Sequence, residues 1–156
     1  MTDLSTLISR LEEATGADRE IDVEVCLLWQ APNEHYREPW RRPILLAREH
    51  QFPGTLEYVE ISGVSARSAP KVTESIDAVL SLAERVLPGW CPHVGQNVHH
   101  KHWNGALQRV DEVNQDIISI TATHLASPAL ALLLAILKAK LSEQETQQDG
   151  LQKGQA

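Results

Sequence analysis

The chain has 156 residues, 42% of them apolar, which fits one globular domain with short additions and excludes a low-complexity or fibrous chain. Its net charge of -7 makes it a poor candidate for sequence-independent binding to duplex DNA, because such binding rests on many Lys and Arg side chains neutralising phosphates. Cys26 and Cys91, two cysteines far apart, form neither a disulfide framework nor the paired CxxC units of a zinc ribbon.

In chain order, "TDLSTLISRLEEATG" places Leu4, Leu7, Ile8 and Leu11 on one helical face, and Gly16 is the expected stop. "DREIDVEVCLLW" follows with Asp18 as N-cap. It reads as a second helix, although Ile21, Val23 and Val25 also alternate with Asp22 and Glu24 as a strand would. Residues 30–70 are rich in Pro and Gly and read as a long irregular loop, broken by one short strand in "TLEYVEI". "TESIDAVLSLAERVL" predicts a helix with a Thr cap and an apolar face of Ile76, Val79, Leu80, Ala83, Val86 and Leu87, stopped by Pro88 and Gly89. "GWCPHVGQNVHHKHWNGALQRV" predicts two strands around a turn near "GQN" or "HHK", and "DIISITAT" a third. "SPALALLLAILKAKL" has Ser127 as N-cap and Pro128 at the first helical position, where no amide hydrogen is needed. Apolar nearly all round, it is expected to be the central buried helix. The polar segment 142–156 is expected to be a disordered tail. The opening lacks a basic n-region and an apolar h-region, and the apolar run within 128–137 is too short to span a bilayer, so the expected location is the cytosol.

Charge is unevenly spread. Met1 to Trp29 holds seven acids against two bases, whereas Trp90 to Val110 holds Lys101, Arg109, four histidines and no carboxylate. Inside that cationic window lies "VHHKHW". If extended, it puts His100 and His102 on one face and His99, Lys101 and Trp103 on the other. Two imidazoles at i, i+2 could chelate zinc, with His93 or His124 as a third ligand and Asp111 or Glu112 as carboxylate. Lys101 opposes that reading by repelling a divalent cation. The same residues suit an anion, with Lys101 and the imidazoles holding a phosphate and the Trp103 indole stacking on a planar ring. "EHYREPWRRP" repeats the combination, with Tyr36, Arg37, Trp40, Arg41 and Arg42 alternating aromatic and guanidinium groups. The bland alternatives are a surface hairpin without a role, and a Trp40 that covers the core while the arginines pair with Glu34, Glu38 and Glu49. Nucleophilic chemistry has little basis: Cys26 sits in an apolar run, Cys91 lacks an orienting group, and no GxSxG, P-loop or GxGxxG is present.

The pair "SIDAVLSLAERVLPGW" and "ASPALALLLAILKAKL" around a short sheet, with the opening "LISRLEEATGADREID", resembles the phage ABA sandwich domain, a family of small bacteriophage and prophage proteins. The similarity covers roughly residues 4–26 and 75–140 and consists of packing patterns, so it brings no catalytic residues with it. It implies a single α/β (α+β) sandwich over residues 1–141, with helices on both sides of a small, mainly antiparallel sheet. It also implies a phage accessory protein in the cytoplasm of the bacterial host. Joined to the cationic and aromatic segments, it gives the leading expectation of a non-catalytic binder that sequesters a small anionic, nucleotide-derived ligand of host defence signalling. Arg41, Arg42, His100, Lys101, His102 and Trp103 would contact the ligand, with Trp40 or Tyr36 stacking. No cofactor is implied, and a homo-oligomer would enclose the ligand between chains. The rival readings are a protein-interaction module acting on a host factor through the 30–70 loop, and a metal-dependent hydrolase using His93, His100 and His102.

Overall fold

Leu4, Leu7, Ile8 and Leu11, the apolar stripe of the opening segment, are buried along one face of helix α1, Leu4–Glu13. The computed structural model describes residues 3–29, 45–49, 56–60, 66–68 and 70–153. Helix α1 stops before Gly16: Ala14 turns to an extended backbone and its amide donates to the Leu11 carbonyl at 3.2 Å. The chain divides into two units, Asp18–Lys71 and the combination of Met1–Ala17 with Val72–Ala156.

In the Asp18–Lys71 unit, helix α2 spans Arg19–Leu28 and begins as expected at Asp18, whose carboxylate accepts from the Glu20 and Ile21 amides at 2.8 and 3.1 Å. The helical reading prevails over the alternating one because this cap satisfies two of the four amides that a helix start leaves open. The irregular loop expected over residues 30–70 contains more order than its composition suggested. Strands β1 (Leu45–Glu49), β2 (Leu56–Glu60) and β3 (Ala66–Ser68) pair antiparallel in that order, with Leu46 opposite Val59 and Tyr58 opposite Arg67. The strand read in "TLEYVEI" is β2, and α2 packs on it.

The other unit continues with helix α3, Ile76–Val86. Its cap is Ser75, whose hydroxyl accepts from the Ala78 amide at 3.3 Å, and not the Thr at 73, which is buried. Val79, Leu82, Ala83 and Leu87 form its buried face. The chain then reverses at Gly89, whose φ of +85° a side chain would strain. Strands β4 (Cys91–Asn97), β5 (His102–Val110) and β6 (Ile117–His124) form an antiparallel sheet in that order. The register sets Val94, Gly105 and Ala122 side by side on one face and Gly95, Asn104 and Thr123 on the other.

Helix α4, Pro128–Lys153, starts as predicted: the Ser127 hydroxyl accepts from the Leu130 amide and its carbonyl from the Ala131 amide, both at 3.2 Å. Residues 129–137 are all buried, and the helix packs against the sheet and against α1 and α3. Leu130, Leu132, Leu133, Leu134, Ile136 and Leu137 are almost wholly removed from water. Burial of each such side chain stabilises by about 1.5–3 kcal/mol, so this helix organises the core. It lies so close to β5 that a Cβ on Gly105 would sit 2.3 Å from the Ala131 carbonyl oxygen.

The α+β class therefore holds, with helices against a small antiparallel sheet. In this unit, though, α1 and α3 pack on α4, and the far face of the sheet is open, with His93, Ser119, Thr121 and Thr123 exposed. Nor does order end at Leu141: α4 runs on to Lys153 through the segment expected to be a disordered tail. Glu, Gln and Lys are good helix formers, and a helix already nucleated in the core extends without a further nucleation cost.

Candidate functional site

The turn between β4 and β5 is "VHHK", residues 98–101, the second of the two positions predicted for it. It is held locally: Asn97 Oδ1 accepts from the His100 amide at 3.1 Å, and Lys101 takes a left-handed φ of 50° to re-enter the sheet. His99, His100 and Lys101 are exposed, so the segment is not the extended one whose alternation the sequence invited. The relation between His100 and His102 survives for another reason. The turn folds His100 back, and its ring stacks on that of His102 at 5.8 Å between centroids, with 15° between planes. Trp103 lies in register with Gln96 and His124, on the face opposite His102, and is half-buried.

Beside His102 opens a cavity of about 470 Å³. Its walls are Glu12 to Thr15 at the end of α1, His102 and Thr123 at the sheet's edge, and His124 to Ala126 in the connection to α4. This is the size of a small-molecule site. Glu12 and Glu13 line it as exposed carboxylates, Glu12 paired with Lys138 at 2.9 Å, and His102 lines it with the His100 ring stacked on its own.

His124 is only 6% exposed and holds this end of the molecule together. Its Nδ1 accepts from the Ala126 amide at 3.1 Å, so Nε2 carries the hydrogen and donates to the Leu11 carbonyl at 2.9 Å. Nε2 thereby ties the last turn of α1, which carries Glu12 and Glu13, to the end of β6, and Nδ1 holds the start of the connection to α4. A ring so engaged serves neither as a metal ligand nor as a base.

The remaining members proposed for a metal set do not converge. His93 pairs with Ala106, four residues along β5 from His102, a separation of about 13 Å at strand rise. Asp111 stands past the other end of the nine-residue β5, about 30 Å away at strand rise. There it caps the next turn, its carboxylate accepting from the Val113 amide at 2.9 Å. Among the described residues no group of three or more His, Cys, Asp or Glu is placed to hold a metal ion. The cationic window is also divided in space, because Arg109 lies over the Trp90 ring at 4.7 Å, at the far end of β5 from Lys101.

Of the eight ligand contacts expected from sequence, His102 lines the cavity, His100 stacks on it, Lys101 is exposed in the adjoining turn, and Trp103 faces the other way. Tyr36, Trp40, Arg41 and Arg42 lie outside the described residues, as does the Cys26 side chain. Glu12, Glu13 and Thr123 were not anticipated. The adjacent acids stand at the exposed end of α1, and the packing of α1 on α4 together with the bond from His124 to Leu11 carries them to the cavity. No helix among the described residues is long and apolar enough to cross a membrane. No protein family, characterised protein or solved structure was found to match the chain.

Proposed function

We propose that the protein is a non-catalytic binder that sequesters a small anionic, nucleotide-derived ligand at the His102 cavity. The observation that supports it best is the juxtaposition of that cavity with the stacked His100 and His102 rings and the exposed Lys101. A cation and imidazole donors suit phosphate oxygens, and flat stacked rings suit a nucleobase. The resemblance to the phage ABA sandwich domain adds the setting of a phage accessory protein in the bacterial cytoplasm; by analogy with other small phage proteins the ligand is a molecule of host defence signalling, and sequestration favours a homo-oligomer that encloses it between chains.

The test is recovery of ligand. Protein incubated with a pool of linear and cyclic nucleotides, washed and then heat-denatured should release one nucleotide with its mass unaltered. Release of nothing, together with no thermal shift from any member of the pool, would end this reading.

A protein-interaction module is favoured by a different observation. Val110, Val113 and Ile117 at the other end of the sheet are 57%, 86% and 70% exposed. On that reading a pull-down from host lysate recovers one partner, and Val113→Asp abolishes the recovery while nucleotides leave the melting temperature unchanged.

A further inference from the structure

The sheet of β4, β5 and β6 has two outer strands, and their free edges differ. The Asp111 amide donates to the Asp116 carbonyl at 2.8 Å, which marks those two residues as a hydrogen-bonded pair. Such pairs alternate along an antiparallel ladder, so Ile118, Ile120 and Ala122 bond to β5, while Ile117, Ser119, Thr121 and Thr123 aim their N–H and C=O groups away from it. By the same alternation Leu107 bonds to β6, and Pro92, its partner on β4, holds its ring nitrogen on the outer edge. That proline takes a donor from the β4 edge and guards it against pairing with a further strand. The β6 edge has no such guard. Its eight residues, "IISITATH", contain no proline, lysine or carboxylate, and Ile117 is 70% exposed. Among the described residues β6 pairs with β5 alone. A strand of this length with an open, uncharged edge is a template for another strand.

We infer that β6 pairs antiparallel with β6 of a second copy of the chain, across a two-fold axis at Ile120, so that two three-stranded sheets join into one of six strands. In that register Ser119 faces Thr121, Ile117 faces Thr123 and Ile118 faces Ala122, and all four outward residues of each copy exchange backbone bonds. Hydroxyl meets hydroxyl and aliphatic meets aliphatic, the kind of cross-strand pair that stabilises a sheet. Charge is what selects a second copy as the partner. Each chain carries -7, so two copies repel where acidic faces meet, and a seam without acid or base avoids that repulsion. The pairing holds whatever the cavity binds. Thr123 also stands in the cavity wall, so each cavity lies at one end of the shared strand pair.

Sedimentation of the full chain, joined to amide hydrogen exchange read by NMR, tests it. The particle should reach twice the 17.4 kDa of one chain as concentration rises, and the Ser119 and Thr121 amides should then exchange about tenfold or more slowly. Thr121→Lys should raise the dimer dissociation constant about tenfold or more, while Gln96→Lys, on the exposed edge of β4, should leave it unchanged. Adding Ser119→Glu to Thr121→Lys should restore the dimer, because the register sets those positions opposite each other. Thermal melts check that each variant is folded. A monomer at every concentration, or a dimer that Thr121→Lys leaves intact, would overturn the pairing. Failure of Ser119→Glu to restore the dimer would overturn the axis at Ile120. Slow exchange of the Ser119 and Thr121 amides in a 17.4 kDa particle would mean that another part of the same chain covers the edge, and would overturn the inference as well.

Discussion

The two ends of the β4–β6 sheet are closed by turns that use their side chains in opposite ways. At residues 111–116 the turn satisfies itself. Asp111 accepts from the Val113 amide and from the Asn114 side chain, the Gln115 side chain donates to the Glu112 carbonyl, and the Gln115 amide donates to the Asp111 carbonyl. At residues 98–101 one outside group, Asn97, holds the turn, and the polar ends of His99, His100 and Lys101 project to solvent beside the cavity. In the first of these turns the Asp111, Asn114 and Gln115 side chains are spent on folding the turn. The His100 end keeps its chemistry available because its geometry is set by a neighbour and by the left-handed Lys101. Between the two ends lies the contact of β5 with α4, which depends on the absence of a side chain at Gly105.

Substitutions should separate these regions. Gly105→Ala forces a methyl group to 2.3 Å from the Ala131 carbonyl oxygen and should have the largest effect. Overpacking against backbone should cost about 3 kcal/mol or more, lowering the thermal midpoint by about 6–12 °C in a scanning melt. His124→Ala removes both bonds of a buried ring and strands the Leu11 carbonyl and the Ala126 amide. It should cost about 3 kcal/mol in urea unfolding and also weaken ligand binding, because Glu12 and Glu13 lose their anchor. Asp111→Ala, in the self-satisfied turn, should cost about 1 kcal/mol and leave ligand affinity unchanged. Lys101→Gly should change stability least and with the opposite sign, gaining up to about 0.5 kcal/mol as the left-handed φ is relieved, yet it should lower nucleotide affinity. If Lys101→Gly and Asp111→Ala affect affinity equally, the contrast between the turns fails.

What the sequence disclosed was local. Ser127 and Pro128 announced the start of α4 because a cap involves groups within four residues of each other, and the stripe from Leu4 to Leu11 announced a buried face because its period is that of the helix itself. The position of the second turn was legible to within a choice of two. The unpredicted features depend on partners far along the chain. Glu12 and Glu13 line one cavity with His102 because α1 packs on α4 and Leu11 bonds His124, 113 residues on, and the tight approach at Gly105 is set by a helix that begins 23 residues later. The pairing of β2 with β1 and β3 was hidden because five-residue and three-residue strands leave too short an alternation to read. The acid-free window around Lys101 was real in sequence but not in space, since α1 supplies carboxylates to the same cavity.

Confinement of ligand chemistry to the His100 end can be read from backbone amide NMR shifts during titration with a ribonucleotide monophosphate. The predicted result is saturable shifts at Glu13, Thr15, His100, Lys101, His102 and Thr123, with Val110 to Ile117 unmoved. Saturable shifts confined to Val110 to Ile117, or none at all with any of the four bases, would contradict it.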